Sequence, residues 1–129
     1  MPKPPNSLVI KGAWRIDTYV RHDEEVSLAG VLLLAEGRWS TLYFVPQPGT
    51  NEHWGSAESG RYTIDDDRLT FHHEFTFQGG GGKSLVIDLA STTVETCAIE
   101  LASETLKIHF PSGNVIHCSR YSERSPGAQ

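Results

Sequence analysis

The segment Leu69-Thr70-Phe71-His72-His73-Glu74-Phe75-Thr76-Phe77 sets an imidazole in a run of aromatics. Read as a strand, whose side chains alternate between two faces, it puts Leu69, Phe71, His73, Phe75 and Phe77 on the buried side. Thr70, His72, Glu74 and Thr76 then face solvent. Desolvation among phenylalanines favours a neutral imidazole, which keeps one directed hydrogen bond to give or accept. That equips His73 to orient a small molecule or to move a proton on it. Tyr62, on the face shared by Gly60 and Ile64, brings an inward phenol that pairs with His73 across neighbouring strands. The plain alternative is a core histidine satisfied by a tyrosine or a backbone group.

Other candidates surround this strand. Arg38-Trp39-Ser40-Thr41-Leu42-Tyr43-Phe44-Val45 is apolar on both faces, so alternation does not fix its register. Trp39 and Tyr43 either line a pocket or form an outward patch, and an outward patch points to a homodimer. Trp54, in His53-Trp54-Gly55, either stacks on a ring at the mouth of a pocket or packs down its own loop. Consecutive strand residues face opposite ways, so His72 and His73 do not chelate one metal, and no metal site or cofactor is expected. No phosphate-binding Gly-rich loop precedes a helix, no nucleophile triad is recognisable, and no paired inward carboxylates are evident.

The elements that must position these residues are strands. In the first, Trp14, Ile16, Thr18 and Val20 fall on one face and Arg15, Asp17, Tyr19 and Arg21 on the other. Further strands run from about Val26 to Leu34, Arg38 to Val45, Ala57 to Ile64 and Leu69 to Phe77. Ser84 to Leu89, Thr93 to Leu101, Thr105 to Phe110 and Asn114 to Tyr121 follow. Pro46 to Ser56 reads as a flap over one end, and Gln78 to Lys83 as a flexible Gly-rich link. Short connections and absent helical periodicity give an all-β fold, a single antiparallel up-and-down β-barrel of eight to nine strands. Its competitor is an open sheet or β-sandwich. Residues 1–7 and 123–129 read as polar tails around a barrel domain at 8–122.

Composition narrows the partners. The 129 residues carry 16 acidic and 11 basic side chains, a formal charge of −5. No Lys or Arg run offers a footprint for nucleic acid, and no cationic amphipathic segment offers one for a membrane. The start of the chain lacks an apolar signal stretch, so a cytoplasmic location is expected. Cys97 and Cys118 suit a thiol-reducing compartment. They lie two strands apart, roughly 10 Å at about 4.8 Å per strand, too far for a disulfide.

Gly12-Ala13-Trp14 in the first strand and Arg120 in the last resemble the calycin group, in which lipocalins share a Gly-x-Trp start and a late basic residue. Gly12 then permits close backbone approach, Trp14 plugs one barrel end, and the Arg120 guanidinium lies across the indole. The chain resembles more closely the bacterial lipocalin-like domain family. The likeness lies in Gly12-Ala13-Trp14-Arg15, in Gly30-Val31-Leu32-Leu33 leading to Ala35-Glu36-Gly37-Arg38, in Gly60-Arg61-Tyr62-Thr63-Ile64, and in Asp67-Arg68-Leu69-Thr70-Phe71-His72-His73. It covers most of residues 10–121 and departs at the segment after the third strand and at the Gly-rich link.

Three functions follow from these residues. The first is a barrel that holds a small hydrophobic or aromatic molecule with Phe71, Phe75, Tyr62, Trp39, Tyr43 and Trp54, oriented by His73. The second is a cofactor-independent isomerase, cyclase or dehydratase in which His73 moves a proton and Tyr62 or Tyr43 steadies an oxyanion. The third is a barrel filled by its own side chains, acting as an interaction module.

Overall fold

The computed structural model describes residues 4–47 and 49–121, which form one short helix and ten strands. Helix α1 (Asn6–Val9) is followed by β1 (Gly12–Arg21), β2 (Glu24–Val26), β3 (Ala29–Ala35), β4 (Arg38–Pro46) and β5 (His53–Asp65). Then come β6 (Arg68–Gly80), β7 (Lys83–Asp88), β8 (Val94–Leu101), β9 (Thr105–His109) and β10 (Val115–Arg120). The expected tail at 123–129 and the first three residues lie outside the described residues.

Strands β1, β3, β4, β5, β6, β8, β9 and β10 pair antiparallel in that order, and β10 pairs back onto β1 to close the barrel. The open sheet and the sandwich are thereby excluded. The architecture is compatible with a calycin-like fold. Two strands are additions: β2 pairs with the end of β1, and β7 pairs with the far half of β6. Two-residue turns suit the links. Glu36-Gly37 (φ 49° and 78°) and Gly81-Gly82 (φ 60° and 80°) both take the left-handed conformation that matches strand twist.

The glycines after Phe77 therefore make a hairpin, not a loose link: Gly79 and Gly80 pair with Gly55 and Trp54. The flap is likewise shorter than expected. β5 begins at His53, so His53, Trp54 and Gly55 are ladder residues opposite Pro46, Val45 and Phe44. Between them Gln47 donates its backbone N–H to the Glu52 carbonyl, which closes the turn.

Two register shifts re-aim side chains that strict alternation misplaces. One lies between Ile16 and Thr18 of β1, beyond which Tyr19 turns inward instead of outward. The other lies opposite Ser59 and Gly60, where Ser59 pairs with Phe75 but Gly60 pairs with His73. The extra residue is Glu74. Its carboxylate accepts from Arg38 and Arg61 on the outer surface, and Phe75 and Phe77 turn out with it, 45% and 48% exposed. Gly60 is required here: a Cβ would overlap the His72 carbonyl oxygen, and the Trp39 indole nitrogen sits 3.1 Å from the same point.

One end of the barrel is sealed. Trp14 is fully buried, donates its indole N–H to the Ile10 carbonyl at 2.8 Å, and lies 4.1 Å beneath the Arg120 guanidinium. Arg120 also donates to the carbonyls of Val9, Lys11 and Ser103, tying α1 and the β8–β9 connection to the seam. Ile10, Leu34, Leu69, Leu106 and Ile108 complete this core. Among the described residues no helix is long and apolar enough to cross a membrane.

Candidate functional site

Above the sealed core the barrel holds a half-open cavity of about 220 Å³. Its walls are mostly apolar, with Ile16, Leu28, Leu32, Trp39, Phe71 and Phe110 among them. Phe71 is fixed by an edge-to-face contact with Trp39 at 4.9 Å and by stacking with Phe110 at 6.4 Å. The Trp39 indole meets the His73 ring edge-on at 4.9 Å and donates to the His72 carbonyl at 3.4 Å.

β4, ambiguous in sequence, is thus resolved. Trp39, Thr41 and Tyr43 face the cavity while Leu42 and Phe44 face out. An outward patch built on Trp39 and Tyr43 does not exist.

The polar wall comes from three adjacent strands. β5 supplies Glu58, β6 supplies His73 and β8 supplies Glu95. His73 Nε2 is 2.8 Å from Glu95 Oε1, and the imidazole side chain is only 9% exposed. This hydrogen bond is the main reason the His73 pKa is raised. Burial opposes it, and the charges of Glu58 and Glu95 reinforce it. The neutral imidazole expected from its phenylalanine neighbours is therefore replaced by one biased toward the charged form.

Burial pushes the Glu58 carboxyl above its ordinary range. His73 offsets part of this and Glu95 adds to it. Burial, followed by the charge of Glu58, likewise raises the Tyr43 phenol, and a hydrogen bond with the Ser56 hydroxyl offsets part of this. Two carboxyls do face one cavity, contrary to the sequence reading. Their signal was present as parity: Glu58 shares its face with Gly60, Tyr62 and Ile64, and Glu95 shares its face with the buried Cys97 and Ile99.

The remaining candidates lie elsewhere. Tyr62 is buried but belongs to the sealed end. It stands opposite Phe71, not His73, and its phenol senses Gly37, Lys11 and Glu36. Its proposed pairing with His73 is replaced by Glu95. Phe75 is outside the barrel because of the Glu74 bulge. Trp54 packs 6.0 Å from the Tyr43 ring and does not line the cavity. Tyr19 joins the site unexpectedly, its hydroxyl accepting from Asn114 Nδ2 at 3.0 Å on the rim.

Cys97 and Cys118 are buried free thiols, each pushed up to about 12 chiefly by burial, so they stay protonated. The chain matches no known protein-family model and no curated protein.

Proposed function

We propose that this barrel binds a small, largely apolar molecule in its interior, with Trp39, Phe71 and Phe110 against the apolar body and His73 and Glu95 orienting a polar group. The observation that carries this reading is a cavity of about 220 Å³ with aromatic walls and its ionisable groups gathered on one side. An apolar cavity of about 150 Å³ holds benzene, so this one has room for a single ring bearing a short chain. The likeness to lipocalin-like proteins adds to the case. Native mass spectrometry of protein purified without added ligand is expected to reveal a retained or exchangeable molecule. Protein that is ligand-free and takes up no aromatic probe would overturn the reading.

The Glu95–His73 hydrogen bond favours acid–base chemistry as a second reading. A carboxylate that holds and orients an imidazole, beside a carboxyl inclined to keep its proton, supplies a proton acceptor and a proton donor over the same cavity. Isomerisation, cyclisation or dehydration without a cofactor needs no more than this. His73→Ala is expected to abolish turnover of a true substrate, and unchanged turnover would exclude the reading.

The outer face suggests a partner. Val31, Leu42, Ala57, Phe77 and Ile87 stand in one register row across five strands, flanked by Phe44, Phe75 and Leu85. β7 ends this face as an edge strand whose six residues are all exposed. The half-exposed apolar side chains offer on the order of 600 Å² per copy, and pairing of two β7 edges brings this near the ~800 Å² per partner of a stable interface. We infer that a second copy of the chain covers it. Sedimentation is expected to show a dimer that Ile87→Lys dissociates, and a monomeric wild type at high micromolar concentration overturns the inference.

A further inference from the structure

The cavity has an imbalance of charge that the binding reading leaves unused. Its lining includes two carboxyls, Glu58 and Glu95, and one imidazole, but neither Lys nor Arg. Glu95 and His73 satisfy each other at 2.8 Å. Glu58 has no such partner: the influences on its carboxyl are burial and the charges of His73 and Glu95, with no hydrogen bond among them. The groups directly across the sheet are Thr41 on β4 and Thr76 on β6, neither of which carries charge. Arg21, whose charge reaches Tyr43, is exposed and does not line the cavity.

A partly buried carboxyl with no hydrogen-bond donor on it is costly. Glu58 lacks a donor of its own. Phe71, Trp39 and Tyr43 meanwhile present ring surface to the same space, and aromatic faces attract cations.

Building on the binding reading, we propose that the ligand is an amine: a single-ring or similarly compact apolar body carrying a protonated nitrogen that docks against Glu58, with the Glu95–His73 pair beside it. The ammonium donates to the Glu58 carboxylate, which it holds ionised, and its remaining N–H groups reach the neighbouring oxygens. An anionic ligand of the same shape meets Glu58 and Glu95 with like charge, opposed only by the His73 imidazole that Glu95 already engages, and is disfavoured.

Three matched probes test this: 2-phenylethylamine, 2-phenylethanol and phenylacetate, titrated into full-length protein by calorimetry or ligand-observed NMR. The amine is expected to bind at least about tenfold tighter than the alcohol, the worth of one charge-assisted hydrogen bond, and the carboxylate weakest of all. In Glu58→Gln the amine should lose that advantage while the alcohol binds as before. Phenylacetate binding as tightly as the amine would overturn the proposal and leave the binding reading standing. Failure of all three probes to bind would take both down. The wild-type ranking decides the matter even where the variant folds poorly.

Discussion

The two ends of this barrel are built from the same strands and solve opposite problems. At the sealed end the two principal polar groups have protein partners: the Trp14 indole has the Ile10 carbonyl, and Arg120 serves three carbonyls while covering the indole face. At the cavity end Glu58 goes without. The first arrangement maximises stability. The second forgoes some of it. The difference shows that one β-barrel can divide its interior along its axis, with one half packed solid and the other left as a cavity.

The comparison breaks first at the sealed end. Trp14→Ala is expected to cost about 3–5 kcal/mol, as large-to-small changes at fully buried aromatics do, and chemical denaturation would measure it. A loss below about 1 kcal/mol would mean the plug is not structural. Gly60→Ala comes next, at about 1–3 kcal/mol, because the added methyl must displace the His72 carbonyl or the Trp39 ring. It should also disturb the cavity, since Trp39 supports both His73 and Phe71.

At the cavity end the sign of the effect should differ. Glu58 and His73 each hold a proton more tightly in the folded chain, so folding takes up protons and stability falls as pH rises. The loss from Glu58 begins above the ordinary carboxylate value of 4.5, and that from His73 above the ordinary imidazole value of 6.5. Each is complete once pH passes the raised folded value. Thermal melts across this range should show the decline, and Glu58→Gln should remove its lower-pH part. A melting temperature that climbs from pH 6 to pH 8 would contradict the assignment.

The smallest effect belongs to the thiols. Cys97 and Cys118, pushed up to about 12, should resist alkylation at neutral pH until the barrel unfolds. Labelling of the native protein would show that the packed half opens on its own.

Much of the barrel was legible in the sequence, because alternating residues and short turns leave few ways to pair successive strands. Trp14, Arg120, Phe71 and His73 were found by pattern and take the positions their chemistry suggests. The misreadings share one physical cause. Period-two reasoning carries a face along a strand until an extra residue shifts it, and β1 and β6 each contain such a shift. Tyr19 and Phe75, both beyond a shift, exchanged sides. Glu58 and Glu95 were overlooked for a different reason: polar residues are assigned outward by default, and a barrel cavity with polar lining is where that default fails. Trp54 was hidden by its neighbours Pro46, Pro48, Gly49 and Gly55, which suggest a loop, although β5 reaches back to His53.

The seam between β1 and β10 has a consequence for how the chain comes to be folded. Arg120 bonds to a carbonyl 109 residues earlier, so the contact that seals the plug is nearly the longest in sequence that the chain can make. Long loop closures slow folding. At synthesis rates of about 5–20 residues per second, roughly 5–20 s pass between the emergence of Lys11 and that of Arg120. Throughout that interval one edge of β1 has no partner. The β1 edge is thus the face a chaperone would need to shield, and a nascent chain halted before β10 would be left with an open sheet in place of a barrel.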